Sequence, residues 1–275
     1  MHPVFFSIGN FHIHWYGVMM AAGLMAGLAS WSFVGRKEGR SLNFSSDLLF
    51  WIVIAAILGA RLAYIASEWD YFLDNPSLLY RLDQGGLIYY GGLIAATIAV
   101  YLFAKVKKEP VLALYDFVAT SLPLGHAFGR IGCFLNGCCH GSPTSGWTGV
   151  CYPSGSFAWT KHLSERLIPS DAQASLAVHP VQLYEAALGF CVYGFLMIVH
   201  RKRKRPGVTT AAYLAAYAII RFNIEFFRGD ERAMIMGLTV AQTVSIGLLV
   251  SGIVLFLIVR RKPIETKPTN KPASA

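Results

Sequence analysis

The sequence predicts an all-α polytopic membrane protein with seven transmembrane helices, its N-terminus outside and its C-terminus in the cytoplasm. Three observations carry that prediction. Of 275 residues, 55% are hydrophobic and only 14% are charged, against about 25% charged in an ordinary soluble domain. Seven stretches approach or exceed the ~20 mostly apolar residues that a helix needs to cross a bilayer core. The gaps between those stretches alternate in charge. So little polar surface cannot cover this much apolar mass in water. Disorder, collagen and coiled coil each need a composition that this chain lacks, and 5 cysteines are too few for a secreted disulfide miniprotein.

The spans are residues 14–34, 47–67, 87–104, 111–129, 179–199, 207–227 and 237–259. The first lacks the basic leader and small-residue cleavage site of a signal peptide. Arg36 and Lys37 follow it directly, so it reads as a retained signal-anchor span. The third and fourth are short. The seventh is nearly pure apolar and reads as a membrane-facing anchor. Basic residues collect after spans one, three, five and seven: Arg36, Lys37 and Arg40; Lys105, Lys107 and Lys108; the run Arg201–Arg205; then Arg260, Arg261, Lys262, Lys267 and Lys271. The alternate gaps hold Glu68, Asp70, Asp74, Asp83, Asp230 and Glu231. This is the positive-inside asymmetry, and it sets the orientation. The net charge of +9 is therefore a topology signal, and no nucleic-acid partner is expected.

Residues 130–178, rich in Gly, Ser, Pro and Trp, are expected to form an external loop or small subdomain. Residues 1–262 read as a single transmembrane catalytic domain, and 263–275 as a disordered cytoplasmic tail. No internal repeat supports a repeat-built transporter.

Ionisable groups inside spans are costly and point to function. The orientation places His14 and Tyr16, Arg61, Tyr89 and Tyr90, His126, Arg130 and Asn136, His179, Gln182, Tyr184 and Glu185, and Arg221, Glu225 and Arg228 at one depth, the outer head-group level. Asp47 and Asp116 stand at helix starts, where a carboxylate suits the dipole. Each group also has a structural reading. Trp15, Tyr16 and Tyr184 fit an interfacial aromatic belt. Arg228 is expected to lie nearer water, where a guanidinium can snorkel. His126 reads more readily as a satisfied interhelical histidine. Arg221 and Glu225 share a helix face and pair, but a pair at this depth favours function. Gly85-Gly86, Gly91-Gly92 and the Gly125–Gly129 segment allow close backbone approach.

The motifs of soluble hydrolases, zinc peptidases and nucleotide binders are absent. Cys133, Cys138, Cys139 and His140 match no standard zinc spacing. A disulfide among Cys133, Cys138, Cys139 and Cys151 is favoured over zinc, with Cys191 as inert packing.

The run Gly129-Arg-Ile-Gly-Cys-Phe-Leu-Asn-Gly-Cys-Cys-His-Gly141 resembles the signature of the prolipoprotein diacylglyceryl transferase family. His14–Gly17, Gly59–Arg61, Tyr90–Gly92, His179–Glu185 and Arg221–Arg228 are similar to its other blocks, in the family's order. Three positions depart from it: Cys133 stands where Asn is usual, Cys138 where Glu is usual, and Tyr90 where some members carry a His. The resemblance implies transfer of the diacylglyceryl group of phosphatidylglycerol to the lipobox cysteine of a prolipoprotein signal peptide, in a bacterial inner membrane. It implies a catalytic set of Arg221, Tyr90, Glu225, Glu185 and His179. The lipid would be held by Arg130, Asn136, Tyr16, Arg61, Gly91 and Gly92, with no cofactor and no metal. Departures at these positions leave the general base open among Glu185, His179 and Tyr90. The competing class is a membrane transporter or channel with an outward-facing polar cavity. No Ser/His or paired-Asp arrangement supports an intramembrane protease.

Overall fold

The computed structural model describes residues 3–9, 11–79, 85–230 and 233–261. The expected tail at 263–275 lies outside them. The chain opens with a hairpin, β1 (Val4–Ile8) and β2 (Phe11–His14), which the all-α expectation did not contain. Then follow α1 (Trp15–Lys37), α2 (Leu42–Ser67), α3 (Trp69–Asp74) with a 3-10 turn at Pro76–Leu78, α4 (Tyr89–Val106), α5 (Val111–Ala119), α6 (Leu122–Asn136) and α7 (Phe157–Ser164). The chain continues through α8 (Val181–Lys202), α9 (Val208–Ile224) with a 3-10 turn at Glu225–Phe227, the short hairpin β3 (Met234–Ile235) and β4 (Leu238–Thr239), and α10 (Val240–Arg260).

Among the described residues, six helical stretches are long and apolar enough to cross a membrane: α1, α2, α4, the run Val111–Asn136 that contains α5 and α6, α8 and α10. α9 has 17 residues and is shorter than any of them. The outward faces are apolar. On α10, Ile253, Val254 and Leu257 are about half exposed, a pattern that a helix in contact with lipid can keep and a water-facing helix cannot. This is a multi-pass membrane protein.

Contacts divide the chain into two compact units, residues 31–115 and residues 1–30 with 116–275. In the first, α2 lies along α4. A Cβ added to Gly59 would stand 2.6 Å from the Gly91 carbonyl oxygen, and one added to Gly91 would stand 2.5 Å from that of Gly59. Backbones this close are held by helix-to-helix packing of small residues. Beside them Arg61, only 8% exposed, donates to the carbonyls of Leu78 (2.6 Å), Gly85 (3.0 Å), Leu79 and Gly86 (both 3.3 Å). One buried guanidinium thus satisfies four carbonyls of the segment between α3 and α4.

In the second unit α6, α8, α9 and α10 pack in turn. Asp116, fully buried in α5, does not serve its own helix start. Its carboxylate accepts from the Gly207 N–H, the Thr210 N–H and the Thr210 hydroxyl, each at 2.8 Å, while Arg203 stands 3.4 Å away. Gly207, the N-cap of α9, has no side chain of its own, so a residue about ninety positions earlier caps that helix. Asp116→Ala is expected to destabilise the protein by about 3 kcal/mol, because it strands two backbone donors and the Thr210 hydroxyl in a buried setting. The measurement is thermal unfolding in detergent; an unchanged melting temperature would remove the cap from this account.

Residues 137–180 hold a small core of their own, Tyr152, Ala158 and Val178, tied by bridges Val150 to Val178 and Pro153 to Ala174. His162 of α7 is 1% exposed, and its Nδ1 accepts from the Leu176 N–H at 3.2 Å. Burial pushes its pKa down, and the His140 ring at 6.0 Å and Lys161 add to that against an opposing pull from Glu165. The unfolded chain therefore takes up this proton near pH 6.5 while the folded chain resists it. The stability from His162 is full above about pH 6.5 and is lost as pH falls below it. Melting temperature should drop between pH 7.5 and 5.5, and His162→Gln should flatten that dependence. Equal drops in both proteins would assign the effect elsewhere.

Candidate functional site

The site is built on the first turns of α8. Pro180 sets the helix start, and Glu185 follows with its side chain 2% exposed. A lone carboxylate this deep would be prohibitively unstable, and four cationic or imidazole groups answer it. Arg130 Nε lies 2.8 Å and His126 Nε2 3.1 Å from Glu185 Oε2. Arg228 Nη1 lies 3.7 Å and Arg221 Nη1 3.9 Å from Glu185 Oε1. His126 and Arg130 are four residues apart on α6 and so share a face. Gly189 lets α6 and α8 approach: a Cβ there would stand 3.0 Å from the Pro123 carbonyl oxygen and 3.1 Å from Ala127 Cβ.

Arg221 lies in the last turn of α9, and its Nη2 pairs with Glu225 at 3.0 Å. Its Nη1 is buried with no hydrogen-bond partner, as is Glu185 Oε1. A small cleft lined by His126, Glu185, Gly189, Val192, Tyr217 and Arg221 opens beside them.

Arg228 corrects the sequence expectation. It is 8% exposed and belongs to the cluster rather than to the water-facing end. The α-helix ends at Ile224, a 3-10 turn follows, and Arg228 is extended (φ −75°, ψ 140°), which turns its side chain back on Glu185. The backbone around it is interleaved. The Gly141 N–H bonds the His179 carbonyl, Ser142 bonds Phe227, and Gly229 bonds His140. A Cβ on Gly229 would stand 2.3 Å from the Gly141 carbonyl oxygen, so only glycine fits there. Arg228 also pairs with Asp230 through two nitrogens. Burial, the largest single influence, lowers the guanidinium pKa; the hydrogen bonds to Asp230 and the charges of Asp230, Cys139 and Glu185 together outweigh it and raise it. Against its own burial, the same pair holds Asp230 below the usual carboxylate range.

A sequence model of the family described as prolipoprotein diacylglyceryl transferase matches residues 3–258. The chain belongs to that family. It is 34% identical over 260 residues to the phosphatidylglycerol–prolipoprotein diacylglyceryl transferase of Clostridium tetani (strain Massachusetts / E88), covering 94% of this chain and 98% of that protein. It is 36% identical over 256 residues to the protein of the same name in Bacillus cereus (strain 03BB102), covering 93% and 91%. The Xanthomonas euvesicatoria pv. vesicatoria (strain 85-10) protein of that name is 33% identical over 288 residues, covering 98% and 95%. The resemblance read from the ordered blocks is thus matched over nearly the whole chain.

For this member of the diacylglyceryl transferase family, the expected site residues divide into groups. Arg130, Glu185, Arg221 and Glu225 come together. Tyr16, 42% exposed, packs on α6 at Gly132, and Asn136 closes α6 with its side chain on Cys138. His179 is held by the Tyr184 hydroxyl at 3.4 Å from its Nδ1 and by the Phe227 ring at 5.4 Å. Tyr90, half exposed, and Gly91, Gly92 and Arg61 belong to the 31–115 unit, where the glycines and the arginine make the packing and carbonyl contacts described above. His126 was not among the expected site residues. Its signal was its place one turn before Arg130 on the same face.

The cysteines also depart from expectation. All five are free thiols, with Cys151 and Cys191 exposed. The Sγ atoms of Cys133, Cys138 and Cys139 lie within 4.8 Å of one another, the one group of three metal-type ligands this close among the described residues.

Proposed function

We propose that this protein transfers the diacylglyceryl group of phosphatidylglycerol to the lipobox cysteine thiol of prolipoproteins, releasing glycerol phosphate. This would be the first step of bacterial lipoprotein maturation. The observation that carries the reading is the convergence of Arg130, Arg221 and Arg228 on one buried carboxylate, with Arg221 Nη1 left without a hydrogen-bond partner. In the reaction a carbon–sulfur bond forms at the glycerol carbon and the carbon–oxygen bond to phosphate breaks. Negative charge moves onto the phosphate. Planar guanidinium forks suit that charge and strengthen their hold as it develops. The adjoining cleft, apolar along Val192, suits the start of an acyl chain.

In this scheme Arg130 and Arg221 bind the phosphate, Glu225 orients Arg221, and Glu185 holds the arginines in register. Tyr16 and Asn136 border the lipid at the end of α6, while Arg61, Gly91 and Gly92 serve it by shaping the α2–α4 pair. The thiol proton passes to His179 or Tyr90, since both oxygens of Glu185 already face cations. Phosphatidylglycerol, the prolipoprotein signal peptide and the bilayer are the partners; the scheme calls on no cofactor. A transporter would gather its charges at broken helices near the midplane. Here Arg221 and Arg130 lie toward the ends of their helices and Glu185 near the start of its own, which favours chemistry at one membrane face.

The proposal includes seven spans, with α9 crossing as the sixth, the N-terminus and residues 130–178 outside, and residues 1–262 acting as one catalytic domain in the inner membrane. Single cysteines placed in the Arg201–Arg205 loop should resist a membrane-impermeant thiol reagent in intact cells, while Cys151 should react. Labelling of the loop from outside would overturn the orientation. The function is tested by incubating purified protein with phosphatidylglycerol labelled in its acyl chains and a lipobox peptide. Label on the peptide cysteine is expected. Its absence, with folded protein and accessible lipid, would refute the assignment.

A further inference from the structure

We propose that Cys133, Cys138 and Cys139 form a binding site for one soft metal ion, with Cu(I) as the best match. The backbone builds the site. At the end of α6 the Gly137 N–H bonds the Phe134 carbonyl at 3.1 Å and the Cys138 N–H bonds the Cys133 carbonyl at 3.2 Å, with Gly137 at φ +76°. This is a Schellman turn, which sets the residue after the glycine against the third residue from the helix end. Here those two residues are Cys138 and Cys133. Cys139 then takes φ +58°, a left-handed conformation that non-glycine residues seldom adopt, and supplies the third sulfur.

The geometry favours an ion over inert packing. With metal–sulfur bonds of about 2.3 Å, three sulfurs around a trigonal ion stand about 4.0 Å apart. The sulfurs here lie within 4.8 Å, so small side-chain rotations close the triangle. All three are half-buried, sheltered yet reachable. Thiolates select soft ions. Zinc in a structural site takes four ligands, and no fourth His, Cys, Asp or Glu joins this group among the described residues. Three sulfurs and no harder donor fit Cu(I). The excess negative charge of three thiolates on a monovalent ion has its counterpart close by, because Arg130 and Arg228 both interact electrostatically with Cys139. A filled site would draw those arginines toward itself. Cu(I) is therefore expected to inhibit diacylglyceryl transfer, an effect that rests on the role proposed for the arginines and is measured apart from binding.

The experiment uses the full-length reduced protein in lipid nanodiscs, without oxygen, titrated with Cu(I) held by a chromophoric chelator. One copper per chain is expected. Peptide mapping of the unmutated protein should show Cys133, Cys138 and Cys139 protected from iodoacetamide while Cys151 is alkylated. Cys133→Ser, Cys138→Ser and Cys139→Ser should each weaken binding at least about tenfold, and Cys151→Ser and Cys191→Ser should leave it unchanged. Failure to retain copper against the chelator would overturn the site. So would copper held without thiol protection, tighter binding of Zn(II) than of Cu(I), or a disulfide between two of the three that reductant does not open. Binding without inhibition would keep the metal site and count against the arginine roles.

Discussion

Arg221→Lys is expected to slow diacylglyceryl transfer about a hundredfold, a loss of roughly 3 kcal/mol of transition-state stabilisation. Lysine keeps the charge but loses the fork. In the structure one arm of Arg221 holds Glu225 at 3.0 Å and the other, Nη1, is buried without a hydrogen-bond partner. An ammonium cannot serve both directions at once. Arg130→Lys should fall by a similar factor, because its Nε is committed to Glu185. The effect should appear mainly in kcat, since a contact that strengthens as the phosphate leaves adds little to ground-state binding. Near-normal rates in both variants, with unchanged thermal stability, would show the arginines to be structural partners only.

Glu185→Gln should be more damaging still, and to the fold as well as to the rate. The carboxylate is 2% exposed and faces Arg130, Arg221, Arg228 and His126 within 3.9 Å. Glutamine keeps the shape and removes the charge that all four share, leaving Arg221 with Glu225 and Arg228 with Asp230 but Arg130 and His126 without their carboxylate. Breaking a buried ion pair from one side costs about 3–5 kcal/mol, and the remaining cations would then repel one another. A bound phosphate can stand in for the missing charge. Phosphatidylglycerol should accordingly raise the melting temperature of Glu185→Gln more than that of the unmutated protein. A variant as stable and as active as the parent would mean that Glu185 does not organise the cluster.

The sequence exposed much of this arrangement because charge inside an apolar span is conspicuous. Arg130, Glu185, Arg221 and Glu225 stand out for that reason alone, and the structure places them together. Arg228 was misjudged because counting seven residues on from Arg221 assumes that the helix continues, whereas it tightens at Glu225 and then runs extended. His126 is the interhelical histidine the sequence suggested; that its partner is Glu185, 59 residues away, is what no local spacing reveals. Arg61 was expected at the lipid from its charge alone; that it also gathers four carbonyls in the segment after α3 was not legible, because backbone acceptors leave no trace in side-chain identity. The cysteine triangle escaped for a similar reason. Its spacing is set by a helix-ending turn rather than by a metal-ligand motif. The N-terminal hairpin was legible in principle from the apolar run on either side of Gly9-Asn10, but the stretch is too short to compete with the long span that follows.

The cap that Asp116 provides for α9 has a consequence for biogenesis. Its acceptors' partners, Gly207 and Thr210, lie 91 and 94 residues further along the chain. At ordinary rates of synthesis, the carboxylate waits about 5–20 seconds for them to leave the ribosome. During that interval α5 carries an uncompensated acid, and afterwards α9 cannot seat its first turn without α5 in place. A nascent chain arrested before Gly207 would display a carboxylate whose three hydrogen bonds to Gly207 and Thr210 are unmade, a mark by which membrane quality control could tell an unfinished copy from a finished one.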